Sequence, residues 1–397
     1  MFSIKTTFFF TLFGLVTAYA QDFNPKYANE FLNMGVGADA LGMGSAVVAD
    51  AKGLTAGVWN PAGLLQQKQT TEIGLMHASY FGGLASFDHI GVSRRVSAQT
   101  VVAINVLRLG VDNIYNTTQL IDNQGNIDYS QLQTFNSADY AIIGSLAKPT
   151  RVAHLSMGVS AKVLYRHIGN FAKAYGFGFD AGLQYSPSKF WSAGLNFRDA
   201  TSTFSAWTYN LSPEMEATFL QTNNFLPQNG IEQMLPRLVL GIAGKLPLKS
   251  EKYQLGGQLN TELTTDGPRN TLLSGKVFSL DPSVGLYLTY DNKLTLRTGL
   301  SQFQYFTDFE AKESLAFQPH LGAGVLLQNW TIDYAFTRLG LGGEGYFTHL
   351  FSLKWAFSAK SWSEKFTTEN RGVVDVREFS FPIFEFGENN VVHVFHF

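Results

Sequence analysis

The chain has 397 residues, a net charge of −2, 38 glycines and no cysteine. A disulfide-stapled exported domain is excluded by the missing thiols, and no basic stripe is present to bind nucleic acid. Hydrophobic residues make up 45% of the chain, yet after the N-terminus no apolar run nears the roughly 20 residues of a spanning helix. For a chain with 34 Phe and 16 Tyr, the remaining way through a membrane is a closed barrel.

The N-terminus carries Lys5, a short apolar core from Thr6 to Val16, and the small-x-small site Ala18-Tyr19-Ala20. That pattern predicts a signal peptide over 1–20, with the mature chain starting near Gln21 outside the cytoplasm. Residues 21–69 follow as a different kind of segment. Phe31 to Leu65 is rich in glycine, including Gly42, Gly44 and Gly63, and contains the turn-forming Asn60-Pro61 after Trp59. Glycine and Asn-Pro disfavour a continuous helix or strand. The segment is expected to form a compact, irregular hatch inside a lumen, the setting in which non-helical backbone is tolerated at membrane depth.

Residues 70–357 alternate. From Lys173 to Ser186 one parity reads Lys, Tyr, Phe, Phe, Ala, Leu, Tyr, and the other reads Ala, Gly, Gly, Asp, Gly, Gln, Ser. A strand sends these sets to opposite faces. A soluble sandwich alternates too, but its outer face would carry Lys and Glu; here the second face is Gly, Ser, Thr and Gln, as a lumen requires. Fourteen strands are predicted, at 70–81, 87–97, 99–113, 137–149, 152–167, 173–186 and 190–203 in the first half. The second half adds 235–247, 253–265, 275–290, 293–305, 317–327, 329–338 and 346–357. Short and long connections alternate, as in all-β outer-membrane antiparallel barrels with periplasmic turns and external loops, except that the first outer one, Gly82 to Ser86, is short. Trp191 and Trp330 follow short turns, Tyr185 and Tyr290 precede them, and Trp355 lies near the end of the last strand, predicting one aromatic rim. Residues 358–397 are either a C-terminal periplasmic extension or further strands. The extension is preferred, because fourteen is already even and charges crowd the start of the tail.

Leu41-Gly42-Met43-Gly44, Val48-Ala49-Asp50 and Trp59-Asn60-Pro61-Ala62-Gly63-Leu64 resemble the N-terminal signature of the FadL-like barrel superfamily, in particular the PorV/PorQ branch of Bacteroidota. That resemblance implies a fourteen-stranded barrel with an N-terminal hatch in the outer membrane of a Gram-negative cell. For the PorV branch it implies an accessory of type IX secretion that binds or shuttles cargo beside a translocon. For the FadL branch it implies uptake of fatty acids or other hydrophobic compounds.

Nothing points to catalysis, a cofactor or a metal. Gly340 to Gly345 matches G-x-G-x-x-G but sits in a predicted loop with no helix to receive a phosphate. No nucleophile elbow or paired-histidine zinc motif occurs. The carboxylates Asp308, Glu310 and Glu313 read as a solvated loop. The loop from Phe204 to Pro236 carries Trp207, Phe219, Leu220, Phe225 and Leu226, and is expected either to touch a partner or ligand at the surface or to fold in and cap its own lumen. Outer-membrane lipid and lipopolysaccharide are the expected surroundings.

Overall fold

The computed structural model describes residues 28–117, 120, 126–307, 312–339 and 346–358, with the pairs 385–386 and 392–393. The leader at 1–20, the glycine motif at 340–345 and nearly all of the tail lie outside the described residues. The wall runs through β1 (Thr71–Tyr80), β2 (Ala85–Ser97), β3 (Thr100–Asn116), β4 (Gln133–Pro149), β5 (Leu155–Ile168), β6 (Ala172–Tyr185), β7 (Trp191–Arg198), β8 (Thr203–Tyr209) and β9 (Gly230–Met234). It continues through β10 (Arg237–Leu246), β11 (Tyr253–Thr264), β12 (Leu273–Ser274), β13 (Ser279–Tyr290), β14 (Leu294–Thr307), β15 (Glu313–Leu327), β16 (Trp330–Leu339) and β17 (Tyr346–Phe357).

Each strand pairs antiparallel with its neighbours, and β1 pairs with both β2 and β17, from Thr71 opposite Phe357 to Ser79 opposite His349. The sheet is therefore a closed barrel of 14 strands. Two of the three extra segments come from breaks within single strands, and the third, β12, is a two-residue hairpin strand on β13. β7 and β8 both pair with β6 and are separated by Asp199 to Ser202, where Asp199 and Ser202 have φ of 53° and 60°. β9 and β10 are separated by Leu235-Pro236, as expected where proline interrupts a ladder.

Alternation in the sequence becomes the two faces of this wall. Tyr175, Phe177, Phe179 and Leu183 of β6 are exposed to the outside, while Gly176, Gly178, Asp180 and Gln184 are buried within. At the short-turn end, Trp330 stacks on Trp355 at 5.3 Å, Tyr185 meets Trp191 at 5.7 Å and Tyr253 meets Tyr290 at 5.1 Å. Rings with an apolar body and a polar edge favour such a rim.

The inward face departs from expectation on one side. Over β2 to β5 it includes Phe87, Leu107, Ile143 and Leu164, all buried, so it is not uniformly small and polar. The reason lies in what it faces. Phe31, Leu32, Val36, Leu54, Val58 and Leu64, from the segment before β1, pack into the same cluster.

Separately, within 358–397, Glu385–Phe386 pairs with Val392–His393.

Candidate functional site

Residues 28–67 are irregular: short turns at Glu30–Asn33 and Pro61–Gln66, and single helical turns α1 (Ala38–Leu41) and α2 (Ala56–Trp59). So broken a backbone leaves many carbonyls without partners in its own segment. Inward side chains of the strands supply donors. Gln184 Nε2 donates to Ala49 O at 2.9 Å and Ala51 O at 3.1 Å. Asn196 Nδ2 donates to Trp59 O at 2.8 Å, and Ser145 and Ser160 hydroxyls donate to Gly57 O at 3.1 and 2.9 Å.

The sequence-predicted hatch residues meet in this structure. Trp59 is buried, and its indole N–H donates to Val36 O at 2.8 Å. Asn60, fully buried, donates from Nδ2 to Val48 O at 2.9 Å and Leu183 O at 3.0 Å, while its Oδ1 caps the next turn through Ala62 N–H at 3.3 Å. Pro61 opens that turn at a position where no amide donor is needed. Opposite them the strands carry Gly182 and Gly158, where a Cβ would overlap Asn60 and Pro61. Gly42 lies against Gly322, Gly63 against the Ala51 backbone, and Gly44, at φ 64°, against the Leu300 backbone. Asn60→Ala should strand three backbone partners, those at Val48 and Ala62 buried, and cost about 2–3 kcal/mol, read as a lower unfolding midpoint in detergent. An unchanged midpoint would show that the turn is held by packing alone.

Two ion-pair networks, unforeseen from the sequence, join this segment and the strand breaks to the wall. Asp199, delivered inward by the β7–β8 break, binds Lys162 and accepts from Arg237 Nη2 at 3.0 Å; Arg237 Nη1 also donates to Glu262 at 2.9 Å. Lys162, Asp180, Asp199 and Arg237 are each at least nine-tenths buried. Across the barrel, Lys354 Nζ lies 2.6 Å from Asp39 of α1 and 3.7 Å from Asp333, which accepts from Arg297 at 2.8 Å. The signal available was charge at inward parity: Lys162 and Asp180 occupy lumen positions of strands whose neighbours alternate cleanly.

Two cavities flank the segment. One of about 150 Å³ is lined by Asp39, Asp50, Lys52, Lys245 and Arg297, near the short-turn end. The other, of about 390 Å³, is lined by Glu30, Arg198, Arg237, Glu262 and Arg269, near the long-loop end. Trp59 borders both; Met43 and Val47 line the first, and their chain neighbours Gly44 and Val48 line the second. Both linings are strongly polar.

The aromatic loop is divided by the structure. Trp207 is not in a loop: it lies in β8, 7% exposed, with the Arg166 guanidinium 4.9 Å above its ring and Tyr209 stacked at 6.2 Å. The strand simply continues past the residue where its alternation faded. Phe219 and Leu220 fall on α3 (Pro213–Gln221), and Phe225 and Leu226 follow it. Leu220 is 64% and Phe225 96% exposed, whereas Phe219 and Leu226 are half-buried. Asp308 and Glu310 lie outside the described residues. Among the described residues no cluster of three or more His, Cys, Asp or Glu could hold a metal ion.

No family model matches the sequence, and no curated protein matches it. Solved structures do match. The toluene transporter TbuX of Ralstonia pickettii aligns with a TM-score of 0.50 and 14% identity, over 81% of this chain and 98% of that one. The CymD monoaromatic hydrocarbon channel aligns at 0.51 and 14%, over 82% and 98%. A deltaS2 mutant of the TodX monoaromatic hydrocarbon channel aligns at 0.50 and 13%, over 81% and 99%. The fold is thus shared with these transporters and channels: a closed antiparallel barrel of 14 strands. These three proteins are named as transporters or channels, none as an enzyme.

Proposed function

We propose that this chain is an outer-membrane barrel that admits hydrophobic small molecules, with residues 28–67 as the hatch that closes its lumen. The shared fold with transporters of toluene and monoaromatic hydrocarbons supports this reading over the secretion accessory expected from the N-terminal signature. The observation that carries it is that consecutive residues of this segment line two different cavities, Met43 and Val47 the one near the short-turn end and Gly44 and Val48 the one near the long-loop end, with Trp59 bordering both. The leader at 1–20 directs export, and the tail is an extension on the periplasmic side. Neither the PorV/PorQ branch nor a translocon partner is needed for this reading.

A second reading keeps the accessory role in type IX secretion. It is favoured by the charged lining of both cavities, which suits a sealed lumen better than a hydrocarbon path, and by Leu220 and Phe225 exposed near α3. One comparison separates the two. Deleting the gene should slow growth on toluene or long-chain fatty acid as sole carbon source and leave the set of secreted proteins unchanged. Normal growth with missing secreted proteins would reverse the order of the readings. Leu220→Ser with Phe225→Ser then locates the contact: it should weaken whichever phenotype the deletion produced while leaving heat-modifiable migration intact. Exposed apolar anchors are worth about 2 kcal/mol or more when they are true hot spots.

A further inference from the structure

The outward apolar belt is not of even height. On β6 it runs through Tyr175, Phe177, Phe179, Ala181, Leu183 and Tyr185. On β1 it holds Ile73 and Leu75 before passing to His77 and Ser79, and on β2 it holds Val92 and Ile90 before Asp88 and Ser86. Register then sets His77 opposite Asp88 and Asp88 opposite Arg108. His77 Nδ1 lies 2.7 Å from Asp88 Oδ1, and Arg108 Nη1 donates to Ser86 Oγ at 3.1 Å. Arg108 also donates to the Tyr140 hydroxyl, and its contacts to Asp88 at 3.4 Å and Asp112 at 3.5 Å are longer than charge-assisted bonds usually run.

These ionisable side chains stand on the face that meets lipid elsewhere around the barrel. Charge there is costly unless it lies at the headgroup level or finds a polar partner. They border a depression of about 740 Å³ whose lower walls are Leu75, Ile90, Val106 and Leu353 and whose upper edge is His77, Asp88 and Arg108. Apolar toward the bilayer centre and charged toward the long-loop end is the order of parts in an outer-leaflet amphiphile. A transmembrane protein partner would instead present apolar surface along the whole height.

We propose that this depression on β1–β3 is a binding site for one outer-leaflet lipid, its acyl chains against Leu75, Ile90 and Val106 and its headgroup phosphate on Arg108 and His77. The assignment rests on the outer-membrane reading, so fractionation is checked separately; absence of the chain from the outer membrane defeats that reading and leaves the binding result interpretable. The probe is bisphosphorylated lipid A added to the purified full chain in detergent and followed by native mass spectrometry. A one-to-one adduct should persist, and a dephosphorylated lipid with the same acyl chains should bind about tenfold more weakly. Arg108→Gln with His77→Gln should bring the phosphorylated lipid to that weaker level, whereas Ile90→Trp, which fills the depression and touches no charge, should reduce both. Heat-modifiable migration identifies the folded variants. Equal retention by wild type and both variants overturns the proposal. So does displacement by inorganic phosphate alone, which would make this a phosphate site, or a protein adduct, not lipid, on a photo-crosslinker placed at Ile90 in cells.

Discussion

Asp199→Ala should be the most destabilising single substitution in the wall. It removes the carboxylate shared by Lys162 and Arg237, both 3% exposed, and strands the hydroxyl of Thr203 that donates to it at 2.6 Å. Lys162 keeps only Asp180 and Arg237 only Glu262, so the buried cluster is left with one positive charge in excess, at a cost of about 3–5 kcal/mol. The comparison is Asp291→Ala, which removes the partner of Lys293 in an exposed turn, where side chains are 51% and 69% accessible; a surface pair contributes at most about 1 kcal/mol. Urea midpoints of the two variants in detergent check the contrast. Similar midpoints would mean that water reaches Lys162 and Arg237 readily and that the network does not hold the β7–β8 break.

Deleting Phe31 to Leu65 should convert a closed barrel into a conducting one. The strands pair with one another through the complete ring from β1 to β17 without help from this segment, so membrane insertion and heat-modifiable migration should survive. What disappears is the apolar filling beside β2–β5 and the segment that lines both polar cavities. Planar bilayers should pass from silence to steady current, and cells should become sensitive to large antibiotics. A deletion that inserts yet stays silent would show that the loops close the barrel.

Much of this was legible because period-two alternation survives wherever one face of the wall is apolar and the other is not. Residues 173–186, 253–265 and 346–357 were expected as strands, and the structure has Ala172–Tyr185, Tyr253–Thr264 and Tyr346–Phe357. The signal fails where the period is broken or the apolar residues thin out. β3 runs on to Asn116 past a bulge between Val111 and Ile114, and β4 begins at Gln133 and β15 at Glu313, where Phe135 and Leu315 are the only large apolar residues ahead of the expected starts. The same loss of contrast hid β8, which placed Trp207 in a loop when it belongs to the wall. In the site, the N-terminal motif was legible as close-packed backbone; its partners were not, since contact between Asn60 and Leu183 or Asp39 and Lys354 has no local trace.

That distance along the chain has a consequence for biogenesis. Asn29 donates to a carbonyl 174 residues later, and Ala38 N–H and the Asp39 carboxylate find partners 314 and 315 residues later, both on β17. Such separations make contacts slow to form, because the intervening chain must be ordered before they can be made. Residues 28–67 close some of their backbone locally, but the groups that Ser352 and Lys354 meet have to wait for β17, the strand of the wall that is made last.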